Sequence, residues 1–148
     1  ATTGSDYQRR LIDEFAAGVE VTPIACPGLA EAVESGDLAA VDAAIRSAAA
    51  RTPASVRALV LGCTHYGLIA DRIQAALGPD VRLFDSPEPV ARQALRRLGI
   101  AARPDAEPGA IVGVLLSGRP GRLPETVRQY AVGRRLAALE RAPVNPAT

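Results

Sequence analysis

The residues best suited to chemistry in this sequence lie together in the segment Gly62-Cys63-Thr64-His65. A free cysteine titrates near ~8.5, so its thiol exchanges protons readily only where the surroundings favour the thiolate. Thr64 offers a hydroxyl, and His65, the only histidine of the chain, can pass a proton to or from a neighbouring group. These residue types at this spacing indicate a thiol that gives or takes a proton in a reaction.

Both cysteines also have a structural interpretation, because a lone cysteine that follows a strand is commonly a small core residue. The neighbouring Gly62, Thr64 and His65 weigh toward a function for Cys63. Cys26 lies in Ala-Cys-Pro with no histidine or hydroxyl beside it, and we predict that it is structural. A Cys26–Cys63 disulfide stays formally open, but reduced thiols are the default for a sequence without a sign of secretion.

Short apolar runs alternate with longer helical patterns along the chain, and this alternation predicts the elements that position these residues. The predicted strands are residues 19–25, 56–61, 81–84 and 110–116, and the predicted helices are 5–17, 27–36, 38–51, the segment after 65 up to 77, 86–98 and 123–139. Such alternation predicts an α/β fold with a parallel sheet flanked by helices, the strand 56–61 being short and apolar enough to be buried.

Cys63 follows the predicted strand 56–61 directly, at the carboxyl end where functional loops of parallel sheets lie. A helix is predicted to begin just after it. Unpaired backbone N–H groups and the helix dipole at that point favour both a thiolate and a carboxylate ligand. Gly62 lets the backbone turn tightly and lets a ligand approach closely. The segment is therefore suited to holding an anionic substrate beside an activated thiol.

The composition excludes several classes of function. No apolar run approaches the roughly 20 residues of a membrane-spanning helix, and the sequence does not begin with a signal-peptide pattern, so we predict a cytoplasmic location. Two cysteines and one histidine are too few for a structural zinc site. Residues 1–74 carry 6 Arg and 9 acids (−3) and residues 75–148 carry 11 Arg and 7 acids (+4), but solvated faces explain this asymmetry better than nucleic-acid binding.

The segment Leu61-Gly62-Cys63-Thr64-His65-Tyr66 resembles the second cysteine motif of the glutamate racemase family, within the cofactor-independent aspartate/glutamate racemase superfamily. Other stretches are similar to the family in order and spacing, namely Ala1-Thr2 with Tyr7-Gln8-Arg9, Ala25-Cys26-Pro27 with Val33-Glu34-Ser35-Gly36, Phe84-Asp85-Ser86, and Leu116-Ser117-Gly118. The resemblance spans about residues 1–136. It departs from the family at Gly67, where proline is usual, and at Pro87, where glycine is usual.

The resemblance implies a two-base mechanism that uses neither pyridoxal phosphate nor a metal. Two cysteines face the α-carbon of the substrate from opposite sides; one thiolate removes the α-proton while the other thiol delivers a proton to the opposite face. By motif, Cys63 is one of these cysteines and His65 supports its thiol as a second catalytic residue. The implied substrate-binding residues are Thr64, His65, Glu34 and Thr2, with Glu34 also orienting His65.

The implied activity is the interconversion of L- and D-glutamate, which supplies D-glutamate for peptidoglycan. The expected partner is thus a small amino-acid substrate, glutamate, with no membrane and no nucleic acid. A racemase of a related acid, such as aspartate or a hydantoin, stays open. So do a truncated inactive homologue that acts as a binding module, and a homo-oligomer.

The resemblance also predicts the domain organisation. Residues 1–92 match the second α/β domain of the family, and residues 93–148 match the segment that returns to the first domain, with a disordered tail from about residue 142. The family's first half, which carries the opposing cysteine, has no counterpart in these residues. Because the sequence begins at Ala1 rather than Met, we expect it to be part of a longer protein.

Overall fold

The computed structural model describes residues 3–101, 103, 109–111 and 113–140. The helices in these ranges are α1 (Asp6–Phe15), α2 (Leu29–Ser35), α3 (Leu38–Ala50), α4 (Ala70–Leu77), α5 (Pro87–Arg97) and α6 (Ala131–Ala138), with 3₁₀ segments at Thr64–Ile69 and Glu125–Gln129. The strands are β1 (Ala58–Val60), β2 (Arg82–Phe84), β3 (Val114–Leu116) and β4 (Arg119–Gly121). The predicted α/β class is confirmed. Thr2 and the predicted disordered tail lie outside the described residues.

Helices begin and end where local side-chain and backbone chemistry favours it. The Ser5 hydroxyl accepts a hydrogen bond from the Gln8 amide (3.2 Å) at the start of α1. The Asp37 carboxylate accepts one from the Ala40 amide (2.9 Å) at the start of α3. Gly36 ends α2 with a positive φ of 73°, which is accessible to glycine at little cost.

The strands β1 and β2 pair in parallel, with Leu59 opposite Leu83 and Val60 opposite Phe84. The parallel arrangement is confirmed, but the expectation that 56–61 forms a buried strand is wrong. Val60 is 75% exposed and Phe84 42%, because helices cover one face of the pair, against which Leu59 and Leu83 pack. The guanidinium of Arg82 lies over the Phe84 ring on the uncovered face, 4.8 Å from its centroid.

The core lies between α2, α3, α4, the 3₁₀ segment Thr64–Ile69 and the covered face of the strand pair. Its buried side chains are Leu29, Ala32, Val33, Val41, Ile45, Leu61, Ile69, Ile73 and Tyr130. Most are aliphatic, as expected for a chain with three tyrosines, two phenylalanines and no tryptophan. Tyr130 comes from the predicted returning segment, and the division into 1–92 and 93–148 stays a prediction.

Three expected elements differ from the structure. Residues 19–25 form no strand, because Pro23 lacks an amide hydrogen and none of the strands that the structure describes pairs with this run. The predicted strand 110–116 is only the first arm of an antiparallel hairpin, which turns at Ser117 and Gly118, both with positive φ, before β4. The predicted helix 123–139 is divided in two because Tyr130 adopts an extended conformation (φ −97°, ψ 146°) between the 3₁₀ segment and α6.

The helices in the described ranges are all too short or too polar to cross a lipid bilayer.

Candidate active site

Cys63 lies at the carboxyl end of β1, where the strand pairing with β2 ends. The Leu61 amide donates to the Phe84 carbonyl (2.8 Å) and extends the parallel ladder to the residue before Gly62. Cys63 is extended (φ −135°, ψ 134°) and half-buried, and its carbonyl accepts from the Tyr66 amide (3.1 Å). The element that follows is the 3₁₀ segment Thr64–Ile69 rather than an α-helix, which begins only at Ala70.

Three of the predicted site residues form a continuous chain of contacts. The Cys63 Sγ atom lies 3.5 Å from Nδ1 of His65. The other ring nitrogen of His65, Nε2, lies 2.8 Å from Oε1 of Glu34, on the last turn of α2 and 31 residues upstream. The structure thus brings together one residue from α2 and two from the segment after β1.

The order of atoms in this chain determines what each group can do. An ionised carboxylate only accepts hydrogen bonds, so Nε2 of His65 must donate to Glu34. In a neutral imidazole the other nitrogen then carries the free lone pair, and here that nitrogen, Nδ1, faces the Cys63 thiol. Glu34 therefore selects the tautomer in which His65 can accept a proton from Cys63.

Of the two threonines predicted to contact the substrate, the structure describes Thr64 only. Thr64 is exposed at the start of the 3₁₀ segment, directly between Cys63 and His65 in sequence. It is therefore open to solvent beside the thiol. Thr2 lies outside the described residues, and its role stays a prediction.

Tyr66 belongs to the same group of residues, although the sequence pattern assigned it no role. Its hydroxyl donates a long hydrogen bond to the Cys26 carbonyl (3.5 Å). Burial, followed by the nearby Cys26, Cys63 and Glu31, raises the pKa of Tyr66 to about 12. Tyr66 therefore stays protonated at neutral pH and lies near both thiols. The sequence signal for Tyr66 is its position directly after His65, in the hexapeptide that resembles the family motif.

Cys26 is half-buried and packs against the core, as expected of a structural residue. Its Sγ atom lies 3.7 Å from the Ile24 carbonyl. Burial raises the pKa of the Cys26 thiol, and the Arg51 guanidinium only partly offsets this effect, so the neutral thiol is favoured. Both cysteines are free, so the structure contains no Cys26–Cys63 disulfide.

A cavity of about 400 Å³ beside α6 is lined by Arg128, Arg134, Ala137 and Ala138 and by none of the site residues described above. Both arginines already have partners. Arg134 donates to the carbonyls of Arg128 and Gln129, and Arg128 pairs with Glu125 and Glu140. We therefore assign the chemistry to the Cys63–His65–Glu34 group, which has the reactive side chains, rather than to this cavity. Within the described ranges, no three His, Cys, Asp or Glu residues cluster as metal ligands.

Comparison with known proteins finds glutamate racemases. A glutamate racemase from Herpetosiphon aurantiacus is 40% identical over 125 residues, covering 81% of this chain and 49% of that protein. A glutamate racemase from Ruegeria sp. (strain TM1040) is 35% identical over 133 residues, covering 88% and 49%. The crystal structure of glutamate racemase from Thermus thermophilus, in complex with beta-chloro-D-alanine, matches 90% of this chain and 50% of that one, with 27% identity and a TM-score of 0.49. No protein-family model matches.

The parallel strand pair, its helices and these sequence identities place the chain among α/β proteins of the aspartate/glutamate racemase type. Within that class, the chain is a homologue of the glutamate racemases, and the motif resemblance is confirmed. The chain spans about half the length of the curated relatives that it matches.

Proposed function

We propose that the protein containing this chain is a glutamate racemase that interconverts L- and D-glutamate and supplies D-glutamate for peptidoglycan. The observation that carries this proposal is the contact chain from Cys63 through His65 to Glu34. The identity of 40% and 35% to glutamate racemases supports the choice of glutamate as substrate. A cytoplasmic location belongs to the proposal, since a free thiol persists in a reducing compartment.

The geometry suits Cys63 to proton transfer at a carbon atom. His65 takes the thiol proton through Nδ1 while its Nε2–H stays bonded to Glu34, and this leaves Cys63 as a thiolate. The thiolate then removes the α-proton of glutamate, so that the C–H bond breaks and an S–H bond forms. A proton delivered to the opposite face re-forms the C–H bond with inverted configuration. No electrons are gained or lost.

The proton on the opposite face requires a second acid. By the resemblance, this acid is a cysteine in the half of the relatives that this chain does not match. Cys26 does not take this role in the proposal, because it packs against the core and matches a different stretch of the family. Thr64, His65, Glu34 and Thr2 are proposed to contact the substrate, with exposed Thr64 nearest in sequence to the thiol.

Deuterium incorporation tests this function directly. The full-length protein, given L-glutamate in deuterated water without added cofactor, should produce D-glutamate that carries deuterium at the α-carbon, as measured by chiral separation and mass spectrometry. An intact protein that gives no exchange would refute the proposal. L-aspartate and a hydantoin, tested in parallel, separate glutamate racemisation from racemisation of a related acid.

The same samples test the binding-module alternative. Carboxylate binding at the segment after Cys63 without α-proton exchange is the result that an inactive homologue would give. Light scattering measures the oligomeric state and decides whether the protein forms the homo-oligomer that the sequence left open.

A further inference from the structure

Tyr130 reaches the core from the C-terminal part of the chain and makes a long-range contact to α2. Its hydroxyl donates to the Val33 carbonyl at 2.8 Å, across 97 residues of sequence. The side chain is 3% exposed, and burial raises its pKa, so the hydroxyl stays protonated and able to donate. This contact therefore joins the C-terminal segment to the last turn of α2.

The residue that follows Val33 is Glu34, which carries the carboxylate bonded to His65. The helix α2 has seven residues and no side-chain cap at its start, so its conformation depends on tertiary contacts rather than on intrinsic stability. Leu29 and Val33 hold its buried face. The Tyr130 hydrogen bond holds the backbone itself, one residue before the functional carboxylate.

The C-terminal segment also contacts the other partner of the Glu34–His65 pair. The helix α6 packs against the 3₁₀ segment Thr64–Ile69, which carries His65. The Gln129 amide lies against Gly36 so closely that a Cβ atom there would be 2.6 Å from Nε2 of Gln129. Residues 125–138 thus touch the elements that hold the carboxylate and the imidazole.

We propose that Tyr130 is a positioning residue, which holds the last turn of α2 so that Glu34 stays within hydrogen-bonding distance of His65. The Glu34–His65 bond is 2.8 Å long, and a displacement of α2 by about 1 Å would break it, since such bonds weaken steeply beyond ~3.2 Å. Without that bond, Glu34 no longer selects the tautomer in which Nδ1 of His65 can accept a proton from Cys63. The effect on turnover rests on the proposed function, whereas the effect on His65 does not.

Nuclear magnetic resonance of the His65 ring reads this role directly. In the intact protein labelled with ¹⁵N-histidine, the His65 signals are assigned by their loss in His65→Asn. We expect Tyr130→Phe, which removes only the hydroxyl, to shift the Nε2–H resonance away from its hydrogen-bonded position. Glu34→Ala, which removes the acceptor itself, should shift it in the same direction. Tyr7→Phe, which changes an exposed tyrosine on α1, should leave it unmoved.

A double variant separates positioning from general loosening. If Tyr130 acts through Glu34, Tyr130→Phe should shift the His65 signal in the native background and have no further effect in the Glu34→Ala background. An additive shift in both backgrounds, or a folded Tyr130→Phe protein with native His65 signals, overturns the proposal. If Tyr130→Phe does not fold, urea titration of the native protein replaces it. The ¹³C signal of Tyr130 and the His65 Nε2–H signal should then change at one midpoint, and separate midpoints would overturn the proposal.

Kinetics then distinguish this proposal from the function on which it rests. We expect Tyr130→Phe to lower kcat several-fold, since it disturbs the proton acceptor of the Cys63 thiol. The change in KM should be smaller, since the proposed contacts of Thr64 and Thr2 with the substrate are not disturbed. Native kcat with shifted His65 signals overturns the role of Tyr130 in turnover. A protein without racemase activity but with the expected His65 shifts refutes the proposed function and leaves the positioning role intact.

Discussion

At the scale of single residues, the site depends on which imidazole nitrogen faces the thiol. Cys63 and His65 are two residues apart, and their contact follows from the short turn that begins after β1. Glu34 then decides the tautomer by accepting from Nε2. Since Glu34 is 68% exposed, its contribution lies in orientation rather than in a strong ion pair.

Replacement of Cys63 tests the thiol itself. Cys63→Ser should lower kcat by about a thousand-fold or more, because a serine hydroxyl is a far weaker acid than a thiol. Steady-state turnover of both glutamate enantiomers measures this. Cys26→Ser is the matched control and should retain turnover within a few-fold, since Cys26 is free and packed against the core. Equal losses in the two variants would contradict the assignment.

Replacement of Glu34 tests whether its carboxylate fixes the tautomer of His65. Glu34→Gln should lower kcat by about 100-fold. The amide can accept from a protonated Nε2 or donate to an unprotonated one, so it no longer selects one tautomer of His65. The pH dependence of kcat should change along with its magnitude. Glu14→Gln, at an exposed position on α1, serves as the control and should behave as the native protein. Full activity of Glu34→Gln would remove Glu34 from the site.

At the scale of elements, most helices followed from capping and periodicity, whereas two of the four predicted strands differ from the structure. Asp37 and Gly36 mark the boundary of α2 and α3 by local interactions that the sequence shows directly. Residues 19–25 have the composition of a strand, but within the described part of the chain no strand pairs with them. Tyr130 divides the last helical pattern because its ring is buried in the core, which local periodicity does not reveal.

The Asp37 cap gives a quantitative test at this scale. Asp37→Ala removes the acceptor of the Ala40 amide and should lower the free energy of unfolding by about 1 kcal/mol. Urea unfolding followed by circular dichroism measures the change. Asp80→Ala, at an exposed turn position, should change it by less than about 0.5 kcal/mol. Equal effects of the two substitutions would show that the cap does not stabilise α3.

At the scale of the whole molecule, apolar surface remains uncovered on one side of the strand pair. Val60 and Phe84 are exposed side by side there, on a chain that spans about half the length of its relatives. Stability comes instead from the mostly aliphatic core on the helical side of the strand pair. Tyr130 is buried in this core, and the partly buried Tyr66 packs against it. Their hydroxyls bind backbone carbonyls of Val33 and Cys26.

The raised pKa of Tyr66 predicts how the stability of the fold depends on pH. Burial, with the nearby thiols and Glu31, raises the pKa of Tyr66 from 10.0 to about 12, so the unfolded chain loses this proton first. Stability is therefore full below pH 10.0 and falls as the pH rises toward about 12. Urea midpoints across this range should fall less steeply in Tyr66→Phe, with Tyr7→Phe as control. A parallel decline in native protein and Tyr66→Phe would contradict the prediction.

Much of this site was predictable from local sequence. The placement of Cys63 after a strand, with His65 two residues on, follows from short-range order, and its spacing alone indicated thiol chemistry. Glu34 was named through the family resemblance, because nothing in its spacing connects it with His65. Tyr66 and Tyr130 were missed, because the scarcity of aromatic residues pointed to a core built from aliphatic side chains.

Cys63 and His65 are only two residues apart, so the short backbone between them allows few arrangements in which they do not meet. Helix caps are likewise local, because they join residues three positions apart. The contacts of Glu34 with His65 and of Tyr130 with Val33 span 31 and 97 residues. Such contacts arise only when buried side chains pack α2 and the C-terminal segment against the turn after β1. Many sequences with the same local pattern would pack differently, since burial favours the whole set of contacts rather than any one pair. The thiol was therefore evident in the sequence, and the groups that orient its proton acceptor became evident only in the folded molecule.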